Sequence, residues 1–339
     1  MCVVKECWNG LKAEEVLKLW LPFLADRHVE CAFETSRVRI DGIPVNPRTV
    51  LSSGRKLEHH FHRHEPEVLW DPVDVTYVDD QIIVVSKPCS IPVHPVGRYK
   101  RNTILSILEH EQPHLLAENK QLRVVHRLDR LVSGVLLLAR SSTVASDMCN
   151  LILQCKVTKE YVARVKGIFP RGRVEVCDPI RVLQDDPLVC GICPEGKPAM
   201  TVFEREAILP NQCESLVRCR PITGRLHQIR VHLKALGHPI VNDIRYGGTS
   251  ANPRQVTPIP PTEDIMYTPL HSSIPSVPDP VDYTKMQWCE ECEAGTRDTS
   301  SVNRDDLAST SICLHALSYA CNQPMHRWRF EVPRPHWAI

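Results

Sequence analysis

Alternating apolar and polar positions predict strands along much of the chain. In "VDVTYVDDQIIVVSKP" an alternating run leads through a "DD" turn into a second apolar run. This pattern predicts a β-hairpin with Val73, Val75 and Tyr77 on one arm, Ile82 to Val85 on the other, and Pro88 at its end. The segments "SGVLLLAR", "TKEYVARVKG" and "ESLVRCRP" predict three further strands.

Helical spacing appears between these strands. "RNTILSILEHE" predicts a short helix with Asn102 or Thr103 as its N-cap, and "SSTVASDMCNLILQ" predicts a helix capped by serine. In "TGRLHQIRVHLKALG" we expect Thr223 to cap a helix and Gly237 to end it, with an apolar face formed by Leu226, Ile229, Leu233 and Leu236. Because several strands alternate instead of being apolar throughout, the pattern favours an α+β fold with a mixed, mostly antiparallel central sheet and flanking helices.

The chain divides into segments of different composition. Residues 11–24 predict a short helix, "RHVECAFETSRVRI" after it shows no clear helix, and residues 37–60 are strand-like. The His-rich linker "HHFHRHEPEV" then predicts a boundary between a small module over 1–65 and a larger domain over 66–339. Residues 249–311 hold eight prolines between Pro253 and Pro280 and a polar stretch after them, which predicts a partly disordered insertion in the larger domain.

Charge alone decides little. The 41 Lys and Arg nearly cancel the 40 Asp and Glu, so the net charge does not indicate a nucleic-acid partner. Basic residues are locally in excess from Arg98 to Arg140. Such a stripe attracts phosphate, although an ordinary solvated face is the interpretation that charge alone favours.

The cysteines indicate a reducing compartment. There are 15 of them, an odd number scattered along the chain, which predicts reduced thiols and a cytoplasmic location, with the nucleus as the alternative. The N-terminal stretch mixes Glu with Lys, unlike a transit peptide. We expect no membrane span, because no run of about 18 apolar residues occurs.

A group of charged residues separates two apolar runs in "VVHRLDRLVSGVLLLA". A carboxylate such as Asp129, at a strand–loop junction, must be solvated or paired with a cation. For an isolated pair with Arg127, a structural salt bridge on a turn is the favoured interpretation. A second motif changes that balance, because it offers a distant arginine as the partner.

That motif is "PITGRLHQIRVHL". Arg225 is predicted in the first helical turn, where its guanidinium can bind a carboxylate bidentately, whereas Arg230 and Lys234 are expected to point elsewhere. An arginine at a helix N-terminus opposes the dipole and therefore indicates a partner; the alternative is a positively charged helix exterior. Tyr161, on the strand "KEYVARVKG", is either a core tyrosine or a ring that stacks on a base or moves a proton.

Together these stretches resemble the RluA-like pseudouridine synthases. The resemblance rests on "VSKPCSIPVHPVGRYKRNT", "HRLDRLVSG", "KEYVARVKG" and "TGRLHQIRVHLKALGHPIVNDIRYG", and "LHALSY…WRFEVPRPHW" is similar to the family's closing strands. "DGIPVN…VLSSG…L…HRHEP" resembles the family's N-terminal S4-type RNA-binding module. The resemblance covers residues 35–337 apart from the insertion. "GRYKRNT" and the insertion point to a eukaryotic branch similar to enzymes that modify the tRNA anticodon stem-loop.

The resemblance implies an isomerase that converts uridine to pseudouridine on the pseudouridine synthase fold, with an S4-like module before it. Asp129 is implied to be the catalytic aspartate, Arg225 its partner in the cleft, and Tyr161 the ring that stacks on the uracil and is the candidate for moving the C5 proton. Such a reaction needs no cofactor or metal, and none is expected. RNA is the expected partner, with tRNA as the first candidate, and we expect no membrane partner and a monomer.

Five further residues are expected to contact RNA. The resemblance implies that Arg127 fills the gap left by the flipped uridine and that Leu226 packs against the base. Arg98, Arg101 and Arg130 are expected to contact RNA from the basic stretch. Val132 and Asn242 depart from the family pattern, which has Thr and Gly there. Neither position is catalytic, so we expect full chemistry.

Three rival interpretations are weaker. "CGIC" at 190–193 and "CEEC" at 289–292 have the pair spacing of a structural zinc site, but they lie far apart, and ordinary thiols are favoured. A zinc deaminase is excluded, because the chain lacks its H-x-E and P-C-x-x-C motifs. The alternative from another class is a non-catalytic RNA-binding module or RNA chaperone. The presence of Asp129, Tyr161 and Arg225 argues against it.

Overall fold

A computed structural model describes most of the chain. The described residues are 2–21, 26–60, 65, 68–69, 71–97, 99–116, 121–183, 189–210, 213–248, 311–324 and 326–339. The predicted insertion therefore lies outside them, apart from its last residue, and so does the "CEEC" pair. The described residues form two compact units, which divide before Glu65.

The first unit has two helices and a four-stranded antiparallel sheet. The helices are α1 (Ala13–Trp20) and α2 (Asp26–Glu34). The sheet has the order β1-β4-β2-β3, with β1 at Cys2–Val3, β2 at Val38–Ile40, β3 at Ile43–Pro44 and β4 at Lys56–His59. The expectation of no helix after residue 26 was wrong. Helix α2 buries a narrow stripe of Val29, Ala32 and Phe33, and its other positions are largely polar. Whether this unit is an S4-like RNA-binding module stays a prediction.

The second unit is built on a ten-stranded sheet, whose main path has the order β10-β13-β14-β9-β15-β8-β6-β5. Strands β7 and β16 pair with β8 and β15 at its side. The strands of the unit are β5 (Asp74–Val78), β6 (Ile82–Lys87), β7 (Arg123–Val124), β8 (Ser133–Ala139), β9 (Val157–Lys166), β10 (Arg173–Val176), β11 (Ile180–Val182), β12 (Cys190–Ile192), β13 (Thr201–Ile208), β14 (Glu214–Pro221), β15 (Leu314–Gln323) and β16 (His326–Glu331), of which β11 and β12 form a separate hairpin.

The predicted fold class is confirmed, because every described pairing is antiparallel except that of β15 with β8. Strands β8 and β15 approach each other most closely at Gly134, which has φ +119°. A Cβ atom there would lie 2.1 Å from the carbonyl oxygen of Ala316. Only glycine fits this crossing. It brings the start of β8 next to β15, which also pairs with Tyr161 of β9 at Ala316.

Three helices flank this sheet, namely α3 (Ile104–Glu111), α4 (Ser142–Leu153) and α5 (Gln228–Ala235). The predicted caps of the first two are confirmed, because the Thr103 and Ser141 side chains accept hydrogen bonds from backbone N–H groups of their helices. Gly237 ends α5 with φ +78°, as predicted. None of the described helices combines the length and apolar composition needed to cross a membrane.

The predicted start of α5 was wrong. Thr223 does not cap the helix, because its hydroxyl accepts the Met200 N–H at 2.9 Å and donates to Gln228 Oε1 at 2.7 Å. The residue before the helix is His227, which has φ 55° in the left-handed region. Leu226 therefore lies outside the helix and is 40% exposed instead of forming part of its apolar face.

Candidate active site

The loop between β7 and β8 carries the "HRLDR" motif. Its apolar residues Val125, Leu128 and Val132 are buried in the main core. Arg127 is exposed, and the side chain of Asp129 is 23% exposed. The apolar positions thus anchor the loop, while Arg127 and Asp129 keep access to solvent.

A buried lysine donates hydrogen bonds to the backbone of this loop. Lys87, at the end of β6, is 1% exposed, and its Nζ donates to the carbonyl oxygens of Pro88 at 2.7 Å, Val132 at 2.8 Å and Arg130 at 3.3 Å. Burial lowers the pKa of Lys87 to about 7, and the negative charge of Asp129 opposes that shift. Sequence reasoning missed this residue; the signal was a lysine directly after an apolar strand and before a proline.

Asp129 is paired with Arg230 of α5. Arg230 Nη1 donates to Asp129 Oδ2 at 3.0 Å. The same guanidinium donates to Asp243, from Nε to Oδ2 at 2.7 Å and from Nη2 to Oδ1 at 2.9 Å. Arg230 and Asp243 have side chains only 5% and 1% exposed. One buried arginine is thus shared between two carboxylates.

The predicted pairing of Asp129 with Arg225 was wrong, as was the expectation that Arg230 points elsewhere. Arg225 precedes the helix, and its Nε donates to the carbonyl oxygen of Pro198 at 2.9 Å. Its backbone N–H donates to Gln228 Oε1 at 2.9 Å. Because α5 begins at Gln228, Arg230 lies in its first turn and reaches the carboxylate that Arg225 was expected to bind.

The electrostatics of the site keep Asp129 ionised. Burial alone raises the pKa of the Asp129 carboxyl, but the neighbouring side chains, His227 and Arg230 first among them, outweigh burial and hold that pKa below its usual range. Burial opposes the charge on Arg230 as well, but its bonds to Asp243 and Asp129 raise its pKa. Asp129 is therefore an anion at neutral pH, and Arg230 remains a cation.

His227 and Tyr246 complete the surroundings of Asp129. His227 Nε2 lies 3.6 Å from Asp129 Oδ2, and its Nδ1 lies 2.7 Å from the Tyr246 hydroxyl. The Arg230 guanidinium lies over the Tyr246 ring, 4.8 Å from its centroid. Burial lowers the pKa of His227 despite the nearby Asp129. Sequence reasoning missed both residues, although "GRLHQIR" and "DIRYG" contain them.

Tyr161 lies on β9 and is 8% exposed. Its hydroxyl is 2.5 Å from that of Tyr319, and the Tyr319 ring stacks on His126 at a centroid distance of 4.4 Å. Burial raises the pKa of Tyr161, and the charge of Asp129 adds to that effect. Tyr161 is therefore a neutral hydroxyl within electrostatic range of Asp129.

The residues expected to contact RNA are placed as follows. Arg127 is exposed two residues before Asp129. Leu226 is exposed directly after Arg225. Arg101 is exposed, and its backbone N–H donates to Glu65 Oε1 at 2.7 Å. The Arg130 guanidinium lies 5.8 Å from the Tyr99 ring centroid. Arg98 lies outside the described residues. Their contacts with RNA stay predictions.

The described cysteines are free thiols. Cys193 Sγ is 2.6 Å from a carboxylate oxygen of Glu195, and Cys190 is buried. Within the described ranges, no group of three or more His, Cys, Asp or Glu side chains has the geometry of a metal site. Since "CEEC" falls outside those ranges, the shared zinc site is not tested.

Comparison with known proteins connects this site to one family. The family model of RNA pseudouridylate synthases matches residues 81–235, which include Asp129, Tyr161 and Arg230. A solved structure of human RNA pseudouridylate synthase domain containing 1 superposes with a TM-score of 0.51 at 21% identity, covering 78% of this chain and 84% of that one. At this identity the likeness establishes the fold.

Three curated relatives show the same relationship in sequence. Human pseudouridylate synthase RPUSD2 is 38% identical over 286 residues, which are 83% of this chain and 51% of the relative, so the chain spans about half of that protein. RNA pseudouridine synthase 7 of Oryza sativa subsp. japonica is 36% identical over an alignment that includes 91% of this chain and 80% of the relative. The Saccharomyces cerevisiae mitochondrial tRNA pseudouridine(32) synthase is 32% identical, with 99% of this chain and 74% of the relative covered. The chain therefore belongs to the RNA pseudouridylate synthase family.

Proposed function

We propose that this chain is an RNA pseudouridine synthase that isomerises uridines in tRNA, with Asp129 as the catalytic carboxylate. The observation that carries the proposal is an ionised, partly exposed carboxylate on an anchored loop, with one oxygen bound to the buried Arg230. A carboxylate of this kind can stabilise positive charge at C1′, attack that carbon, or take the C2′ proton.

The reaction breaks the N1–C1′ glycosidic bond and joins C5 to C1′, while the C5 proton is lost to solvent and N1 takes up a proton. The uridine must first leave the RNA stack, at a cost of a few kcal/mol. Arg127 is exposed two residues before Asp129, so it can enter the gap that the base leaves. Water must be kept from C1′, because hydrolysis would release the detached uracil.

Tyr161 acts on the detached base in this proposal. Because its pKa is raised, it remains a hydroxyl at neutral pH and is not a phenolate base. We assign it to stacking on the uracil and to contacting the C5 proton through its oxygen. Arg225 is partly buried and binds the Pro198 carbonyl and Gln228 instead of Asp129, so its role is to orient the loop before α5, where the exposed Leu226 offers an apolar contact to the base.

tRNA is the proposed substrate because two relatives carry that substrate in their names. They are the yeast tRNA pseudouridine(32) synthase and the yeast tRNA pseudouridine(31) synthase, which is 30% identical over 348 residues. We extend the proposal to the anticodon stem-loop. The recognised feature would be the RNA shape around the flipped base, since single-stranded loops expose bases most easily.

The test uses a pool of tRNA transcripts made with [5-³H]UTP. Rejoining through C5 releases tritium, and sequencing then maps the modified position. We expect tritium release from the wild type and none from Asp129→Asn, because the amide cannot carry the negative charge. The matched control is Asp147→Asn, the same substitution at an exposed position of α4, which should retain wild-type activity.

Equal release by wild type and Asp129→Asn would contradict the assigned mechanism. RNA binding without any release by the wild type would favour the RNA chaperone instead. A modified position outside the anticodon stem-loop would contradict that part of the proposal and leave the chemistry standing.

The proposed location is the cytoplasm. It is supported by free thiols throughout the described chain. The yeast relative is named as mitochondrial, so imaging of a C-terminal fluorescent fusion is the direct test. Fluorescence confined to mitochondria would contradict the proposed location.

A further inference from the structure

The residue before α5 has an unusual backbone conformation. His227 has φ 55°, a left-handed conformation that is uncommon for residues other than glycine, although histidine adopts it more often than most. Backbone strain of this kind persists where the surrounding structure holds it, and it is common at functional sites. Here it directs the imidazole between Asp129 and Tyr246, with Nε2 3.6 Å from Asp129 Oδ2 and Nδ1 2.7 Å from the Tyr246 hydroxyl.

The hydrogen bonds of Tyr246 define which ring nitrogen of His227 carries the proton. Tyr246 is 1% exposed, and its hydroxyl oxygen accepts the backbone N–H of Cys190 at 2.9 Å. A phenol has one proton, and two acceptors lie within its reach, His227 Nδ1 at 2.7 Å and the thiol of Cys190, of which the thiol sulfur is a weak acceptor and the imidazole nitrogen a strong one. Nδ1 therefore accepts, and the neutral ring carries its proton on Nε2, which faces the carboxylate of Asp129.

The two oxygens of Asp129 are then unequal. Arg230 Nη1 and His227 Nε2 both approach Oδ2. Among the described residues, Arg230 and His227 make the polar side-chain contacts of this carboxylate, and both contacts go to Oδ2. The Arg230 hydrogen bond at 3.0 Å restrains the rotation of the carboxylate, and the His227 contact at 3.6 Å adds a second donor when it shortens to hydrogen-bond distance in the RNA complex, so Oδ1 is the oxygen left to face a sugar.

We propose that His227 is a positioning residue whose Nε2–H, fixed in that tautomer by the Tyr246 hydroxyl, holds Asp129 Oδ2 so that Oδ1 faces the ribose of the flipped uridine. This inference rests on the proposed function, since it assigns a partner to its catalytic carboxylate. The donor is a neutral one. A protonated imidazole would place a second cation beside Asp129 and weaken the negative charge that the developing positive charge at C1′ requires.

Burial favours the neutral form of His227, and the charges around it act in both directions. The groups that face it are Asp129 from the loop before β8, Arg230 from α5, and Asp243, Arg245 and Tyr246 from the segment after α5. Burial, Arg230 and Arg245 lower its pKa, whereas Asp129 and Asp243 raise it, and the net effect is a lowered pKa. The Tyr246 proton on Nδ1 adds to this preference, because a doubly protonated ring could not accept it.

The test compares two substitutions of His227 that differ in one donor. In His227→Gln the amide nitrogen lies about where Nε2 was and keeps an N–H toward Asp129, whereas His227→Leu has similar size without a donor. Single-turnover tritium release is measured with the [5-³H]UTP-labelled tRNA transcripts, together with RNA binding by fluorescence anisotropy and thermal unfolding. The matched control is His238→Gln at the other end of α5, where the imidazole contacts the Lys166 carbonyl.

We expect the single-turnover rate to fall about 10- to 100-fold in His227→Leu and to stay within about fivefold of wild type in His227→Gln, because a hydrogen bond to a charged group contributes that much. RNA affinity should change less than about threefold, since phosphate contacts dominate it. Tyr246→Phe removes the proton on Nδ1, so protonation of His227 should set in at a higher pH than in the wild type, and the rate of this variant should fall with decreasing pH where the wild-type profile stays flat.

Several results would overturn the inference. Wild-type rates in His227→Leu, equal losses in the Leu and Gln variants, or a wild-type pH profile in Tyr246→Phe each contradict it. An inactive Asp129→Asn beside an unaffected His227→Leu overturns this inference alone. No product from the wild-type protein would overturn the proposed function and this inference together.

Discussion

Arg230 is the residue whose removal tests the site most directly. Its guanidinium makes one hydrogen bond to Asp129 and two to Asp243, and both Arg230 and Asp243 are almost completely buried. Arg230→Met keeps much of the apolar volume and removes the charge. Asp243 is then left as a buried carboxylate without its cation. Breaking a buried pair in this way costs about 3–5 kcal/mol of unfolding free energy.

The same substitution acts on activity through Asp129. Loss of an opposite charge at 3.0 Å raises a carboxyl pKa by about 1–3 units. The pKa of Asp129 is lowered in the folded protein. The contribution of its ionised form to stability is therefore present above the ordinary carboxyl pKa and is lost as pH falls through the pKa of the folded state. The rate of the wild type should therefore stay constant as pH falls to the ordinary carboxyl range, and Arg230→Met should lose activity at a higher pH than the wild type.

Urea unfolding and a pH profile of single-turnover tritium release measure the two effects separately. The double variant Arg230→Met/Asp243→Asn removes both members of the more buried pair. It should recover at least about 2 kcal/mol of the lost stability, because no unpaired charge remains near the helix. Its activity should not recover, because Asp129 still lacks its cation. Unfolding free energy within about 1 kcal/mol of wild type for Arg230→Met would refute the reasoning, and so would recovery of activity in the double variant.

Three further substitutions test the scaffold of the site. Burial lowers the pKa of Lys87 to about 7 in the folded protein, so between pH 7 and 10 the unfolded chain binds the lysine proton more tightly than the folded chain. The unfolding free energy of the wild type should therefore rise with pH by about 3 kcal/mol relative to that of Lys87→Met in urea titrations. The same pH dependence in both proteins would contradict this. Gly134→Ala should lose more than about 3 kcal/mol of unfolding free energy, because the new Cβ would lie 2.1 Å from a backbone oxygen. The control Gly172→Ala, which has φ +83° but open space around it, should lose about 1 kcal/mol. Similar losses for both variants in thermal melts would contradict the close crossing of β8 and β15. Tyr319→Phe leaves the Tyr161 hydroxyl without its partner at 2.5 Å, and the single-turnover rate should fall about 10-fold with RNA affinity retained, so an unchanged rate would contradict the role of that bond.

The strands and most helices could be predicted from the sequence because periodicity reports burial. Strand β8 is an apolar run and is buried along nearly its whole length, and β9 buries Lys159, Tyr161 and Ala163 on the face that the alternation indicated. Helix α4 begins after the predicted serine. In each case local pattern and tertiary contact demand the same structure.

The pairing in the site could not be predicted in the same way. Two arginines five positions apart would lie about 140° apart around one helix, so choosing between Arg225 and Arg230 requires the exact start of α5. That start depends on a left-handed His227 and on Gln228 accepting the Arg225 N–H, neither of which leaves a signal in apolar spacing. A usable clue was Asp243, an acidic residue close after the apolar pair Ile240 and Val241, because a carboxylate buried next to them needs a cation.

The two departures from the family pattern fall where the backbone, and not the side chain, carries the site. Val132 is buried, its carbonyl accepts from Lys87, and its N–H donates to the Asp129 carbonyl at 3.0 Å. A β-branched residue of the same shape therefore suffices, because no hydroxyl is needed for either bond. Asn242 has φ 69°, a left-handed conformation that glycine adopts freely and asparagine adopts with little strain. It leaves Asp243 in place to bind Arg230, so the charge that keeps Asp129 ionised is preserved in this chain.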